Sequence, residues 1–369
     1  MRITFLAPHD SLNGGVRVIA LYARLLQARG HEVSIVSSPR PRPSLRMQLR
    51  ALRRGRWQGL QRRNRALLGH LAQSGVPLRT LERPGAIRAA DLPDADVVIA
   101  TWWETAVWMA ALPVSKGMKV HLVQGYETWG DPTHDGRVDT TLRLPHVKIA
   151  ISRSLKDEIE ASLGPLGMRV VPNAVDTRQF DAPPRGRQPR PRVGFVYAQA
   201  PIKGADRYLE IVKLARRELP DLEVLAFGAD EVGAAMPLPG GTEYHQRPAQ
   251  DQLAGLYACC DAWLFSTRVD SFGLPVLEAM ACRTPVVGLP VGAAPDLLGD
   301  GCGVLVRPES EDVLAARQAR ALVDLLKAPE ADWRAMSERA HRRAHGYSWE
   351  DAAERLEAEL LKAMHPIAA

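Results

Sequence analysis

Short, nearly continuous apolar runs alternate along this chain with longer stretches in which apolar residues return every third or fourth position. The runs lie at 2–8, 31–37, 95–100, 118–124, 146–152 and 168–171, and again at 192–198, 222–228, 261–266, 284–288 and 304–306, with the more polar Glu243-Tyr-His-Gln read as one further short strand. Runs of this length, bounded by turn residues and apolar on both faces, predict strands of buried parallel sheets. Between them the helical period recurs. Val16, Ile19, Ala20, Ala23 and Leu26 predict a helix from Val16 to about Arg29, with Gly30 as its cap. Further helices are expected at 153–162, 205–218, 251–260, about 310–327 and 331–345, with one beginning at Thr101. Ser348 and Asp351 then mark the start of a last helix, in the manner of a capping box. Strands alternating with helices predict an α/β fold built on doubly wound parallel sheets.

A chain of 369 residues exceeds one ordinary core, so two domains are expected. The first runs over 1–180. Residues 181–191, with four prolines and three arginines, read as a linker. The second domain covers 192–345, and 346–369 forms a terminal helix. No short-period repeat is visible. No apolar run approaches the ~20 residues that span a bilayer. The first residues read as a strand, not as a signal peptide, so the chain is expected in the cytoplasm. The four cysteines, Cys259, Cys260, Cys282 and Cys302, lack metal-like spacing and are expected as reduced thiols.

Charge changes this picture at one place. The net charge is 48 − 42 = +6, yet residues 40–65 hold ten arginines and no Asp, Glu or Lys, which leaves 6 − 10 = −4 for the rest. The patch lies in an insert, 39–72, that interrupts the α/β rhythm. Pro39, Pro41 and Pro43 open it. Leu45, Leu49 and Leu52, then Trp57, Leu60, Leu67 and Leu71, fall near helical spacing, and Gly55 and Gly59 divide them into two short helices. A basic amphipathic surface of this kind suits an anionic membrane face. An acidic acceptor and a merely solvated face are the other readings. Nucleic acid is set aside, because Trp57 is the one aromatic there available for stacking.

The stretch with the most chemistry is 266–290, which reads as loop, helix, strand. Asp270 lies in the loop. Phe272-Gly-Leu-Pro275 opens the helix, where Pro275 costs little because its N–H would have no partner. Glu278 follows a turn later. The N–H groups of Gly273 and Leu274, at the positive end of the helix, suit a phosphate. Asp270 and Glu278, eight residues apart, flank that point, and a carboxylate can accept two sugar hydroxyls. The bland alternatives are an amphipathic core helix, a helix-flank salt bridge for Glu278 and a loop cap for Asp270. Elsewhere, Gly14-Gly15 before the first helix fits either a tight turn or close approach to a phosphate. Lys203 begins a helix, where a cation opposes the dipole unless an anion lies between.

Residues 266–290 resemble the E-x7-E signature of the retaining GT-B glycosyltransferases of family four, E-G-F-G-L-P-x-x-E-A-M-A. Phe272, Gly273, Leu274, Pro275, Glu278, Ala279, Met280 and Ala281 match, and Asp270 stands at the first acid. Gly14-Gly15 through Val33, the Pro172-Asn173 segment and Lys203-Gly204 are similar to further motifs of that family. The resemblance implies two Rossmann-like domains facing across a cleft, with the C-terminal helix crossing back to the N-terminal domain. It implies a nucleotide-sugar donor on the C-terminal domain, with Lys203 against the diphosphate, Asp270 on the transferred sugar and Glu278 on the ribose. The backbone of Ser271, Phe272, Gly273 and Leu274 would contact sugar and diphosphate, and Gly14 and Gly15 would lie close to the donor. It implies no metal and no other cofactor, and retaining transfer of a hexosyl group, rhamnosyl or mannosyl among them, to a glycan or lipid-linked acceptor in cell-surface polysaccharide synthesis.

Three departures accompany the match. The family's phosphate-binding Arg is absent from Val196–Gly204. Gln124 stands where many relatives have His, and a Gln takes no proton. The first acid is Asp. The stretches Ala100-Thr-Trp-Trp-Glu-Thr-Ala and Gln124-Gly-Tyr-Glu resemble a polysaccharide-assembly branch of the family, which implies roles for Gln124 in catalysis and for Tyr126 and Glu127 in acceptor binding; loop packing is the other reading of these three residues. A 2-epimerase-like enzyme and a catalytically silent binding subunit of the same fold remain the alternatives.

Overall fold

A computed structural model describes residues 1–11, 13–40, 69–128 and 136–365. The Arg-rich stretch proposed for membrane contact therefore lies, except for Arg40, outside the described residues. Thirteen strands are seen among those described, in two sheets. The first holds β1 (Arg2–Ala7), β2 (Glu32–Ser37), β3 (Leu78–Thr80), β4 (Val97–Ala100), β5 (Met118–Val123), β6 (Val147–Ala150) and β7 (Arg169–Val170), in the order β3-β2-β1-β4-β5-β6-β7. The second holds β8 (Arg192–Val196), β9 (Glu223–Gly228), β10 (Thr242–Gln246), β11 (Ala262–Phe265), β12 (Val286–Gly288) and β13 (Val304–Leu305), in the order β10-β9-β8-β11-β12-β13. The registered neighbours run parallel, for example Ile3 beside Val97 and Val193 beside Ala262.

The chain divides into two compact units. One contains Met1–Ala150, Leu163–Arg169 and Ala353–Ala369; the other contains Ile151–Ser162 and Val170–Ala352. Residues 151–162 and 170–180, read from the sequence as the end of the first domain, thus cluster with the second sheet. The helix Arg153–Leu163 shows why. Asp296 accepts from its first N–H groups, Arg153 (3.1 Å) and Ser154 (3.3 Å), and from the Ser154 hydroxyl (2.9 Å), supplying the orphan donors of the helix start.

The stretch 181–191 is docked, not free. Arg185 lies over the ring of Trp333 and hydrogen-bonds the Thr284 hydroxyl at 3.0 Å. Arg187 meets Glu330 at 2.9 Å, and the Gln188 N–H donates to Asp261 at 2.8 Å. Its prolines set an extended path that buried polar partners then hold. Of the terminal helix Trp349–Met364, the part from Ala353 on belongs to the first unit, where Glu357 bonds Arg29 and His31. Its start is capped as expected, with the Asp351 N–H on the Ser348 hydroxyl at 3.0 Å.

The cores follow from the apolar runs. Around the second sheet, Phe195 stacks on Tyr208 at 4.4 Å and Trp333 is fully buried, its indole N–H on the Asp261 carbonyl at 2.8 Å. Around the first, Leu6, Val36, Val98, Ala106 and Met109 pack together. The edge strand β3 and the helix Arg137–Leu142 escaped the sequence reading. Each is short and half polar, so neither shows a clear period.

Candidate active site

In each sheet the strand order reverses once beside the first strand, between β1 and β4 and between β8 and β11. At such a switch point the loops leaving the carboxyl ends of the two strands diverge and open a crevice for a ligand. Of the predicted site residues, Gly14 and Gly15 follow β1, Lys203 follows β8 and Asp270 to Gly273 follow β11, while Gln124, Tyr126 and Glu127 follow β5 and Glu278 lies in the helix that the β11 loop enters.

In the second unit, β8 leads to the turn Pro201–Lys203 and β11 leads to the loop 266–273. The two are joined by hydrogen bonds. The Ile202 carbonyl accepts from the N–H of Arg268 (2.8 Å) and from the Thr267 hydroxyl (2.9 Å). Gly204 makes this approach possible. Its φ is +71°, and a Cβ there would stand 2.5 Å from the Ser266 carbonyl oxygen. The result places the Lys203 ammonium 2.7 Å from Asp270 Oδ2, with Lys203 39 % and Asp270 19 % exposed at the side chain.

The other oxygen of Asp270 turns back on its own chain. Oδ1 accepts from the N–H of Gly273 (2.8 Å) and of Phe272 (3.3 Å). This corrects one expectation: the Gly273 N–H is engaged by Asp270. An Asp side chain bonds the backbone two or three residues on, as in an Asx turn, and its short reach fits it for this. Gly273 itself has φ +84° and precedes the helix Leu274–Ala281, with Pro275 in its first turn. Phe272 is buried, so only its backbone faces the loop. Gly292, which sequence reading passed over, comes against the same loop; a Cβ on it would lie 3.1 Å from the Asp270 carbonyl, and the Ala293 N–H donates to Phe272 at 2.9 Å. Ser271 is partly buried.

Glu278 lies inside, not at the surface of this helix. It is 7 % exposed and accepts from the Tyr257 hydroxyl at 2.8 Å. Tyr257 is itself enclosed by Trp263, Phe227 and Phe180, with ring centroids 4.4, 5.4 and 6.0 Å away. A buried carboxylate needs such a donor. Tyr257 could not be paired with Glu278 from residue pattern alone, because it sits on a separate helix, Leu253–Ala258.

The missing Arg has two neighbours of interest. Arg207 donates to the Ser266 carbonyl at 3.1 Å and pairs with Glu311. Arg268, within the signature loop, pairs with Asp206. Both bring positive charge to the loop, though each is already matched by a carboxylate.

In the first unit, Asn13 caps the helix Gly14–Ala28 by accepting from the Val16 N–H at 2.8 Å. Gly14 and Gly15 are its first two residues. Gly30, at φ +89°, follows the cap residue Arg29. Gln124, at the end of β5, is buried and donates to the Thr101 carbonyl at 3.2 Å. A Cβ on Gly15 would lie 3.6 Å from Gln124 Oε1, so the Gly-Gly turn and Gln124 meet. Tyr126 donates to Asp139 at 2.8 Å. Glu127 accepts the Trp103 N–H at 2.8 Å, and burial pushes its carboxyl up to about 8 against that bond. Among the described residues, one group of three metal-ligating side chains occurs, Asp181, His341 and His345.

Comparison with known proteins agrees with this geometry. Residues 12–179 match the model described as Glycosyltransferase Family 4, and 190–324 the one described as Glycosyl transferases group 1. The chain is 29% identical over 238 residues to the MMP alpha-(1->4)-mannosyltransferase of Mycolicibacterium hassiacum, covering 62% of this chain and 56% of that one. It is 33% identical over 177 residues to the D-inositol 3-phosphate glycosyltransferase of Segniliparus rotundus, covering 44% and 38%. The chain thus spans about half the length of these curated relatives or less. Among solved structures, Anabaena HepE in complex with UDP and glucose superposes with a TM-score of 0.70 at 17% identity, over 98% of this chain and 100% of the other. Sucrose-phosphate synthase from Thermosynechococcus elongatus gives 0.68 at 16% identity, over 98% and 100%. At these identities the likeness speaks to the fold. Two parallel sheets of this order, with both family models matched in sequence along them, mean that the chain belongs to the GT-B glycosyltransferases of the family-four type.

Proposed function

We propose that the protein transfers a hexosyl group from a nucleotide-sugar donor to a glycan or lipid-linked saccharide acceptor, with retention, in the assembly of cell-surface polysaccharide. The observation that carries the reading is that Lys203, in the turn after β8, lies against the signature loop, 2.7 Å from Asp270, the residue that also bonds the N–H at the start of the helix Leu274–Ala281.

In this mechanism the donor diphosphate lies against Lys203 and the N-terminal end of that helix. The C–O bond from the sugar to the β-phosphate breaks, and negative charge grows on the departing oxygen. Lys203 opposes that charge, preorganised by Asp270, with no metal or other cofactor needed. The acceptor hydroxyl attacks on the same face, and its proton passes to the departing phosphate oxygen. Asp270 has one oxygen committed to backbone N–H groups, which fixes the orientation of the other toward Lys203 and the sugar. Glu278, oriented by Tyr257, holds the ribose. Gln124 and Gly15 lie close together at the first switch point, where Gln124 offers hydrogen bonds in place of a proton acceptor. The basic stretch 40–65 would hold the enzyme at the inner face of an anionic membrane.

The test is nucleotide release and sugar transfer over a panel of donors. UDP-sugars and mannosyl donors come first, given the UDP in the Anabaena complex and the mannosyltransferase among the relatives. Lys203→Met and Glu278→Gln should each cut release of the nucleoside diphosphate. Unchanged release in both sinks the assignment. Release without any acceptor-dependent transfer favours a hydrolase or epimerase of the same fold.

A further inference from the structure

One cluster in the second unit takes no part in this chemistry. His341 and His345 lie one turn apart on the last turns of the helix Glu330–His345, and Asp181 comes to them from a segment 160 residues earlier. Their ligand atoms all lie within 4.8 Å of one another. We propose that Asp181, His341 and His345 form a binding site for a divalent transition metal of the zinc class, which clips the segment after β7 to the end of this helix.

The hydrogen bonds support the assignment. His345 Nδ1 lies 3.0 Å from the His341 carbonyl oxygen, which can only accept, so the proton sits on Nδ1. In the neutral ring Nε2 then carries a lone pair, and it lies 3.7 Å from Asp181 Oδ1. Two acceptors facing each other across that gap repel unless a cation lies between. In a tetrahedral site with zinc–ligand bonds of about 2.0–2.2 Å, neighbouring ligand atoms stand roughly 3.4 Å apart. The His345–Asp181 spacing is close to that. The His341–Asp181 contact, 2.8 Å, opens slightly when its bridging proton is exchanged for metal. A carbonyl that orients a ligating imidazole through its other nitrogen is the usual outer support of such a site.

Electrostatics adds to this. The cluster sits at the C-terminal, negative end of a helix of 16 residues, which favours a cation. Arg283 faces the cluster and opposes a cation, but it is paired with Glu338, which is also close to Arg342. The side chains of Asp181 and His345 are 56 % and 34 % exposed, so metal has entry and water can complete the coordination.

The untagged full chain, stripped with a chelator, is titrated with zinc chloride against a chromophoric competitor. One equivalent should bind with micromolar affinity or better, and the melting temperature should rise by about 5 °C at a hundredfold excess over Kd. His345→Ala and the near-isosteric Asp181→Asn should weaken binding at least tenfold while melting, metal-free, within a few degrees of the parent. Equal uptake by the parent and the His341→Ala/His345→Ala double variant overturns the proposal. So does a cobalt-loaded protein with intense thiolate charge-transfer absorption, which would move the metal to a cysteine such as Cys259.

Discussion

Replacing Lys203 by Met keeps the aliphatic stem and removes the charge. The ion pair with Asp270 is half open to water, 39 % and 19 % exposed at the side chains. A pair of this exposure contributes only about 0.2–1 kcal/mol to stability. Asp270 is not stranded in the variant, because it keeps the N–H groups of Gly273 and Phe272. The melting temperature should therefore fall by no more than about 4 °C. Charge growing on the leaving diphosphate is another matter. A unit charge about 4 Å away at an effective dielectric of 20 contributes about 4 kcal/mol. Deleting one preorganised donor at a developing anion typically costs about 10²–10³-fold in rate, or about 2.7–4 kcal/mol. The two estimates agree, and both exceed the stability term several-fold. The assay is nucleoside diphosphate release at saturating acceptor, beside thermal unfolding of the same samples. A kcat/KM within about threefold of the parent, worth about 0.7 kcal/mol, would refute a role on the phosphate. A large drop in melting temperature would show that the pair is structural.

Other residues separate fold from function in the same way. Gly15→Ala adds a methyl 3.6 Å from Gln124 Oε1, an ordinary contact, so stability should hold while donor KM rises; an unchanged KM confines Gly15 to the helix start. Tyr257→Phe keeps the aromatic packing but withdraws the hydroxyl from Glu278 at 2.8 Å, which should cost about 1–3 kcal/mol in unfolding free energy by calorimetry, and no loss would show the bond to be idle. For Glu127 the folded carboxyl is pushed up from 4.5 to about 8 by burial, so the folded state holds a proton that the unfolded chain gives up. That contribution is complete below the unfolded value and is lost as pH rises through about 8. Denaturant titrations at stepped pH should show the parent losing stability over this window and Glu127→Gln losing less; parallel curves would remove the buried-acid reading.

Much of the architecture was legible because parallel strands buried on both faces leave continuous apolar runs. The runs at 2–8, 95–100, 118–124 and 192–198 each became a strand within a residue or two at either end. The signature stretch was legible for a related reason: Gly273 needs φ +84°, Pro275 needs a helix start, and both are local demands written in residue type. Less visible were elements without a period, β3 and Arg137–Leu142, and the affiliation of 151–162, which Asp296 decides from far along the chain.

The sequence by itself determined the fold class, the two switch-point loops and the residue types placed on them, since local φ demands and burial patterns act over a few residues. Only the tertiary structure decided what those residues touch. It brought Lys203 to Asp270 by letting Gly204 pass beneath Ser266, turned Asp270 back onto the Gly273 N–H, and set Glu278 inward on Tyr257. It also docked the proline-rich stretch 181–191 and brought Asp181 to His341 and His345. Apart from the local turn of Asp270 onto Gly273, these contacts join residues that lie far apart along the chain or in different elements, and a hydrogen bond between them exists only after the fold has closed the distance.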